Sequence, residues 1–90
     1  MAKAIVDPVE LRRFAQSLKR FNSALQDQMR SLQGQLASLG DTWRDQEHTK
    51  FSQDFEETMH VLAAFVDNAD QHIPFLLRKA ERIEEYLQQR

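Results

Sequence analysis

The feature that most constrains the fold is a mirror arrangement of apolar residues about Trp43. Apolar residues before and after this position form pairs whose numbers add up to 87, such as Leu25 with Leu62 and Leu18 with Ala69. In two antiparallel helices joined by a short bend, residues equally far from the bend lie opposite each other. The sequence therefore predicts an all-α fold, an antiparallel two-helix hairpin with Trp43 at its tip.

The first predicted helix covers residues 8–39. Asp7 is a favourable N-cap, Pro8 suits the first helical position, and Glu10 completes a capping box. Apolar residues then recur at steps of three and four, which is the spacing of one helix face. The residues preceding Asp7 lack the apolar core of a Sec signal peptide, so we expect none.

The second predicted helix covers residues 45–88, after a turn at 40–44, and the whole chain forms one domain of residues 1–90. Its apolar spacing continues through Pro74, so we predict a kink there and not a break. The two apolar stripes together predict the hairpin core: Leu11, Phe14, Leu18, Phe21, Leu25, Leu32, Leu36, Phe51, Phe55, Leu62, Val66, Ile73 and Leu76.

More apolar residues are present than one hairpin can bury. Some project beside the main stripe at 100° per residue, and others lie where the second helix outruns the first. Two helices alone bury too little surface to be comfortably stable, so we expect a second chain to cover these residues and form a four-helix bundle. The predicted dimer interface is Val61, Ala64, Phe65, Phe75, Ile83 and Leu87.

Composition argues against several other classes of protein. The 90 residues include no cysteine, and no apolar run approaches the roughly 18 residues of a membrane span. Residues 1–40 carry a net charge of +3 and residues 41–90 one of −5, which favours the two helices lying side by side. No clustered positive charge indicates a nucleic-acid surface. We expect a cytoplasmic protein without a membrane span.

No pattern of residues predicts catalysis, a cofactor or a metal. His48, His60 and His72 recur every twelve residues, which turns a helix by about 120° beyond whole turns, so they point in different directions. The serines lack a glycine-rich elbow, and two packed helices offer no obvious pocket. We predict that the protein is not an enzyme and has no catalytic, cofactor-binding or metal-binding residues.

Trp43 is the residue that stability explains least, because the tip of a lone hairpin is a poor place to bury a large aromatic ring. One interpretation is that it folds back onto Leu39 and Phe51 of its own chain. The other is that it docks onto a second chain, next to the apolar end of that chain's second helix.

The bend reads Trp43, Arg44, Asp45, with Phe51 and Phe55 in the helix that follows. Two helices of about this length with a tryptophan at the bend resemble the WXG (Trp-x-Gly, Esx-like) family of small type VII secretion substrates. Asp45 stands where the motif has glycine. Because aspartate also caps helices, the bend is compatible with this change.

The resemblance implies a non-enzymatic helical hairpin that pairs with itself or with a homologous hairpin. It also implies a recognition surface formed by Trp43, Arg44 and Asp45 together with Tyr86 of the partner chain, and a secretion ATPase as a further partner. The family's export signal, Tyr-x-x-x-Asp/Glu, stands here as Tyr86 followed by Arg90 in the acidic place. The protein is then either a type VII substrate or the signal-less partner of one. The alternative is a cytoplasmic adaptor or chaperone that holds a partner's amphipathic helix.

Overall fold

The computed structural model describes residues 6–89 as an elongated, antiparallel helical hairpin. Helix α1 spans Pro8–Leu39 and helix α2 spans Gln46–Gln88, joined by a short bend. The molecule measures 68 × 20 × 16 Å, so it has the length of a single long helix and the thickness of two. The predicted all-α hairpin is confirmed.

Aspartate side chains define the start of both helices. The Asp7 carboxylate accepts a hydrogen bond of 2.9 Å from the backbone N–H of Val9. The Asp45 carboxylate accepts one of 3.0 Å from the backbone N–H of His48. Each bond satisfies one of the free N–H groups that open a helix, and the negative charge also complements the helix dipole.

The contact between the two helices follows one column of each helix, with a repeat of seven residues. In an antiparallel pair, this spacing keeps the same side of each helix against its neighbour. Members of the two columns can be paired at a constant sum of residue numbers, such as Ala15 with Ile73 at 88, one more than the sum predicted. We call this column the hairpin seam; it comprises Ala15, Asn22 and Met29 of α1 and Met59, Val66, Ile73 and Ala80 of α2, all buried.

The predicted hairpin core needs correction at four positions. Phe14, Phe21, Leu32 and Phe51 are exposed, with Phe14 at 58% and Phe21 at 53%, so their assignment to the buried core is wrong. The apolar stripe is wider than one helix contact, so these side chains lie beside the buried column and not within it. The other nine predicted core residues are buried or half-buried: Leu11, Leu18, Leu25, Leu36, Phe55, Leu62, Val66, Ile73 and Leu76.

Helix α2 passes through Pro74 without interruption. Proline has no N–H to donate to the carbonyl oxygen of Asp70, four residues earlier, so one backbone hydrogen bond of the helix is missing there. Pro74 is exposed, which leaves that carbonyl within reach of solvent.

Candidate functional site

The bend is a tightly bonded turn whose backbone requires no glycine at the third motif position. The backbone N–H of Trp43 donates to the carbonyl oxygen of Leu39 at 2.8 Å, and the Arg44 guanidinium Nε donates to that of Gly40 at 3.3 Å. Asp45 has φ −99° and ψ −175°, an extended conformation open to any residue. No residue from 6 to 89 has a positive φ. Aspartate therefore replaces the motif glycine without backbone strain and caps α2.

The Trp43 ring is half-buried against its own chain. Its centre lies 4.9 Å from that of His48 and 6.2 Å from that of Phe51, and the rings of Phe51 and Phe55 follow at 5.9 Å. These spacings are those of aromatic pairs that attract each other. The expected packing of Trp43 onto Phe51 is therefore present within one chain. Phe51 itself is still about half exposed, so the aromatic series at the tip has an open side.

One side of the hairpin carries most of the exposed aromatic and leucine side chains; we call it the aromatic face. Phe21 of α1 and Phe65 of α2 meet there across the two helices, with ring centres 6.3 Å apart in an edge-to-face arrangement. Both rings remain roughly half exposed. The face comprises Phe14, Phe21, Leu32 and Leu39 of α1 and Phe51 and Phe65 of α2.

The predicted interface residues of α2 differ in their surroundings. Val61 is 68% exposed and Phe75 is 64% exposed, the latter with the Arg78 guanidinium 5.2 Å from its ring centre. Ala64, which is also exposed, lines a groove of about 520 Å³ with Gln26 of α1.

The C-terminal part of α2 exposes the remaining predicted recognition residues. Tyr86 and Leu87 are exposed and Ile83 is half-buried, close to the end of the helix at Gln88. Arg90, the basic residue in place of the family's acidic one, lies outside the described residues. Tyr86 and Trp43 are at opposite ends of one hairpin, so a joint surface of the two requires a second chain.

The opposite side of the seam is polar, and we call it the polar edge. Arg12 of α1 forms an ion pair with Glu84 of α2. The Asn22 side-chain amide donates to the Asp70 carboxylate at 2.9 Å. These contacts tie the helices together where water is accessible, so the aromatic face is the side left without polar partners.

Sequence reasoning missed Asn22, a polar residue 2% exposed in the middle of the hairpin seam. Its Nδ2 bonds to Asp70, but its Oδ1 is buried without a hydrogen-bond partner. The signal available in the sequence was its position, seven residues after Ala15 and seven before Met29. Because asparagine is polar, this position does not belong to the apolar pattern that predicted the buried residues.

The grooves along residues 6–89 are shallow and open to solvent. A second groove, of about 410 Å³, runs along the polar edge past Lys19 and Pro74. Within residues 6–89, no three side chains of His, Asp or Glu come together in a way that would hold a metal ion. Neither α1 nor α2 has the length of apolar sequence that crossing a membrane requires.

The architecture and the tip motif together agree with a known family model. Residues 4–87 match the model for WXG100, proteins of 100 residues with WXG. The chain belongs to the WXG100 family. This chain differs from the family motif in having Asp45 in the glycine position, where Asp45 caps α2.

Solved structures with the same fold include EsxB, a secreted protein from Bacillus anthracis strain Sterne. A glycine-to-alanine variant of EsxB superimposes with a TM-score of 0.76 at 25% identity, covering 93% of this chain and 97% of that one. The selenomethionine-labelled EsxB gives a TM-score of 0.76 at 24% identity, covering 96% of this chain and 98% of that one. No curated protein sequence is significantly similar to this chain.

Proposed function

We propose that the protein is a non-enzymatic type VII secretion component that acts by pairing its aromatic face with a second helical hairpin. The observation that carries this proposal is the concentration of exposed aromatic side chains on one side of the seam, centred on Phe21 and Phe65. Contiguous exposed apolar surface on a small protein marks an interaction site. The polar edge on the opposite side has the ion pair and hydrogen bond that suit a surface facing water.

The single hairpin exposes more surface than a compact monomer of the same mass. Its accessible area is 7234 Å², whereas a compact folded monomer of 10.6 kDa exposes about 5,500 Å². The excess is larger than the roughly 800 Å² that each partner buries in a standard interface. A second hairpin laid along the aromatic face would remove this excess.

Membership of the WXG100 family and the likeness to a secreted EsxB support a link to type VII export. The tip of one hairpin and the Tyr86 end of its partner come together if the two hairpins lie antiparallel. Arg90 puts a positive charge where the family's export signal is acidic. We infer that this chain is exported with a partner that carries the signal, or serves as that partner's signal-less companion, and that a secretion ATPase recognises the pair.

Association is tested by placing charge on the aromatic side of α2. Val61→Asp combined with Phe65→Asp should convert a dimer of twice 10.6 kDa into monomer or unfolded chain, as measured by light scattering. The matched control, Gln53→Asp with Gln71→Asp, adds the same charge at exposed positions of α2 outside the predicted interface and should leave the dimer intact. A stable, folded monomer of the unmodified chain at micromolar concentration, unpaired even with a homologous hairpin, would contradict the proposal.

Export is tested by a secretion assay in a host with a type VII system, with this chain expressed alone and with any adjacent homologue. We expect appearance in the medium to require the partner, Trp43 and the partner's acidic C-terminal signal. Efficient export of the chain alone, independent of Trp43 and Tyr86, would contradict the role of signal-less partner. Retention with an unrelated helical protein would favour a cytoplasmic adaptor.

A further inference from the structure

Two features that lower the stability of the hairpin meet at one residue, Asp70 of α2. Asn22, 2% exposed, donates its Nδ2 to the Asp70 carboxylate, but its own oxygen is buried without a partner within residues 6–89. Pro74, one turn after Asp70, has no N–H to donate to the Asp70 carbonyl oxygen. Natural proteins depart from the most stable choice of residue chiefly at functional sites. Asp70 is therefore a candidate for contact with a second molecule.

Asp70 lies where two grooves between α1 and α2 join. The groove of about 410 Å³ and the groove of about 520 Å³ have Gln26 and Asp70 in common. A third groove, of about 230 Å³, shares Gln33 with the second and continues to Gly40 at the bend. We call these three together the long groove. It follows α1 from Lys19 to Gly40, a distance of about 30 Å, which is the length of a helix of about 20 residues.

The long groove runs along the polar edge, on the other side of the hairpin seam from the aromatic face. At 100° per residue, Asp70 lies about 40° to one side of buried Val66, whereas Phe65 lies about 100° to the other side. None of the six residues of the aromatic face lines the long groove. A second hairpin on the aromatic face therefore leaves this groove open.

The lining of the long groove combines an apolar floor with an acidic wall on α2. Buried Met29, Val66 and Ile73 form the floor. Asp67 and Asp70, both exposed, lie on the wall, and neither forms an ion pair within residues 6–89. An amphipathic helix that turns apolar residues to the floor and a basic residue to α2 would match this lining in shape and in charge.

We propose that the long groove binds an amphipathic helix of a partner protein other than the second hairpin, and that an arginine of this helix bonds to Asp70. A guanidinium has five N–H donors in a planar fork, enough for both the carboxylate and the carbonyl oxygen of Asp70, whereas a lysine is a point charge. Asn22 is a positioning residue, because its amide holds the Asp70 carboxylate. This site goes beyond the proposed function, which uses the aromatic face.

The probe for the first experiment is a display library of amphipathic helices of about 20 residues, with random residues at the polar positions. Peptides are selected on the unmodified chain, and those that also bind Asp70→Asn are then removed. This variant keeps the size of the side chain and an acceptor for the Asn22 amide, but not the charge. We expect the remaining peptides to carry an arginine among apolar residues at helical spacing. An empty selection, or peptides without a basic residue, would overturn the proposal.

The second experiment measures the Kd of one selected peptide by fluorescence anisotropy. Citrulline in place of its arginine, which is neutral and of nearly the same shape, should raise the Kd for the unmodified chain about tenfold. The same change should not alter the already weaker Kd for Asp70→Asn, since the two groups act as a pair. Lys19→Gln should lower the Kd about twofold, because Lys19 lines the groove and repels the guanidinium.

The matched control is Asp54→Asn, which removes an exposed acid of α2 outside the long groove and should leave the Kd unchanged. If citrulline weakens binding to the unmodified chain and to Asp70→Asn by the same factor, Asp70 does not contact the arginine and the proposal fails.

The third experiment compares stability with binding in the same variants. Asn22→Leu and Pro74→Ala remove the two features that lower the stability of the hairpin, so both should raise the urea midpoint. Both should also raise the Kd of the arginine peptide about threefold or more, because a site and its fold are optimised by different residues. Variants that are more stable and bind as tightly would show that Asn22 and Pro74 have no part in the site.

Light scattering separates this inference from the proposed function. The peptide should add one helix for each chain without dissociating a dimer of hairpins. A dimer that falls apart as the peptide binds would mean that the peptide occupies the aromatic face, which would overturn the inference. A chain that remains monomeric and unpaired, yet binds the arginine peptide through Asp70, would contradict the proposed function and leave the inference standing.

Discussion

Asp45 couples the bend to the second helix through a single side chain. Its carboxylate accepts from the backbone N–H of His48, while its own backbone is extended. We expect Asp45→Ala to lower the free energy of unfolding by about 1 kcal/mol, but Asp45→Gly, which restores the family motif, by only a few tenths. Urea denaturation measures both, with Asp41→Ala in the exposed turn as a near-neutral control. An alanine variant as stable as the unmodified chain would mean that the cap is unimportant.

Asn22 is the polar residue of the hairpin seam, and its side-chain oxygen lacks a hydrogen-bond partner. Asn22→Leu removes a buried oxygen that has no partner and adds apolar contact, and exposed Asp70 can bond to water instead. We expect unfolding to require roughly 1 kcal/mol more, because an unpaired buried polar group costs about 1–3 kcal/mol. Asn22→Asp should do the opposite, since it sets a buried carboxylate beside Asp70. A less stable leucine variant in thermal unfolding would show that the polar pair itself stabilises the seam.

At the scale of the helices, the sequence predicted the two-helix architecture correctly but not which residues form the hairpin seam. The mirror arrangement about Trp43 predicted two antiparallel helices, because this arrangement depends only on how far each residue is from the bend. It could not separate the hairpin seam from the aromatic face, because residues spaced by three and four cover an arc wider than one contact. Phe14 and Phe21 were predicted to be buried because their side chains are large and apolar. The smaller Ala15 and Asn22 are buried instead.

Pro74 has the lowest helix propensity of the residues in α2. Helix α2 continues through it with one backbone hydrogen bond missing. Pro74→Ala should restore the bond and raise the free energy of unfolding by about 1–3 kcal/mol. Pro74→Gly should gain about 1 kcal/mol less, because glycine is the poorer helix former. Thermal unfolding monitored by circular dichroism compares the two. A destabilised alanine variant would indicate that the proline shapes a bend on which the packing depends.

At the scale of the whole molecule, folding and association should be one process. The radius of gyration is 20.1 Å, against about 12 Å for a compact domain of this length. So extended a hairpin has few internal contacts to stabilise it, and we expect the second chain of the proposed dimer to supply most of the apolar burial. The dimer and the fold should therefore be lost together on dilution.

This coupling predicts that the urea midpoint rises with protein concentration. Each tenfold increase in concentration adds about 1.4 kcal/mol to the apparent free energy of unfolding of the dimer. Helicity, light scattering and Trp43 fluorescence should change together, because the ring packs on Phe51 and needs α2 in place. Emission should shift to the red as the chain dissociates. A midpoint for the unmodified chain that stays constant over a hundredfold range of concentration would mean that the hairpin folds alone.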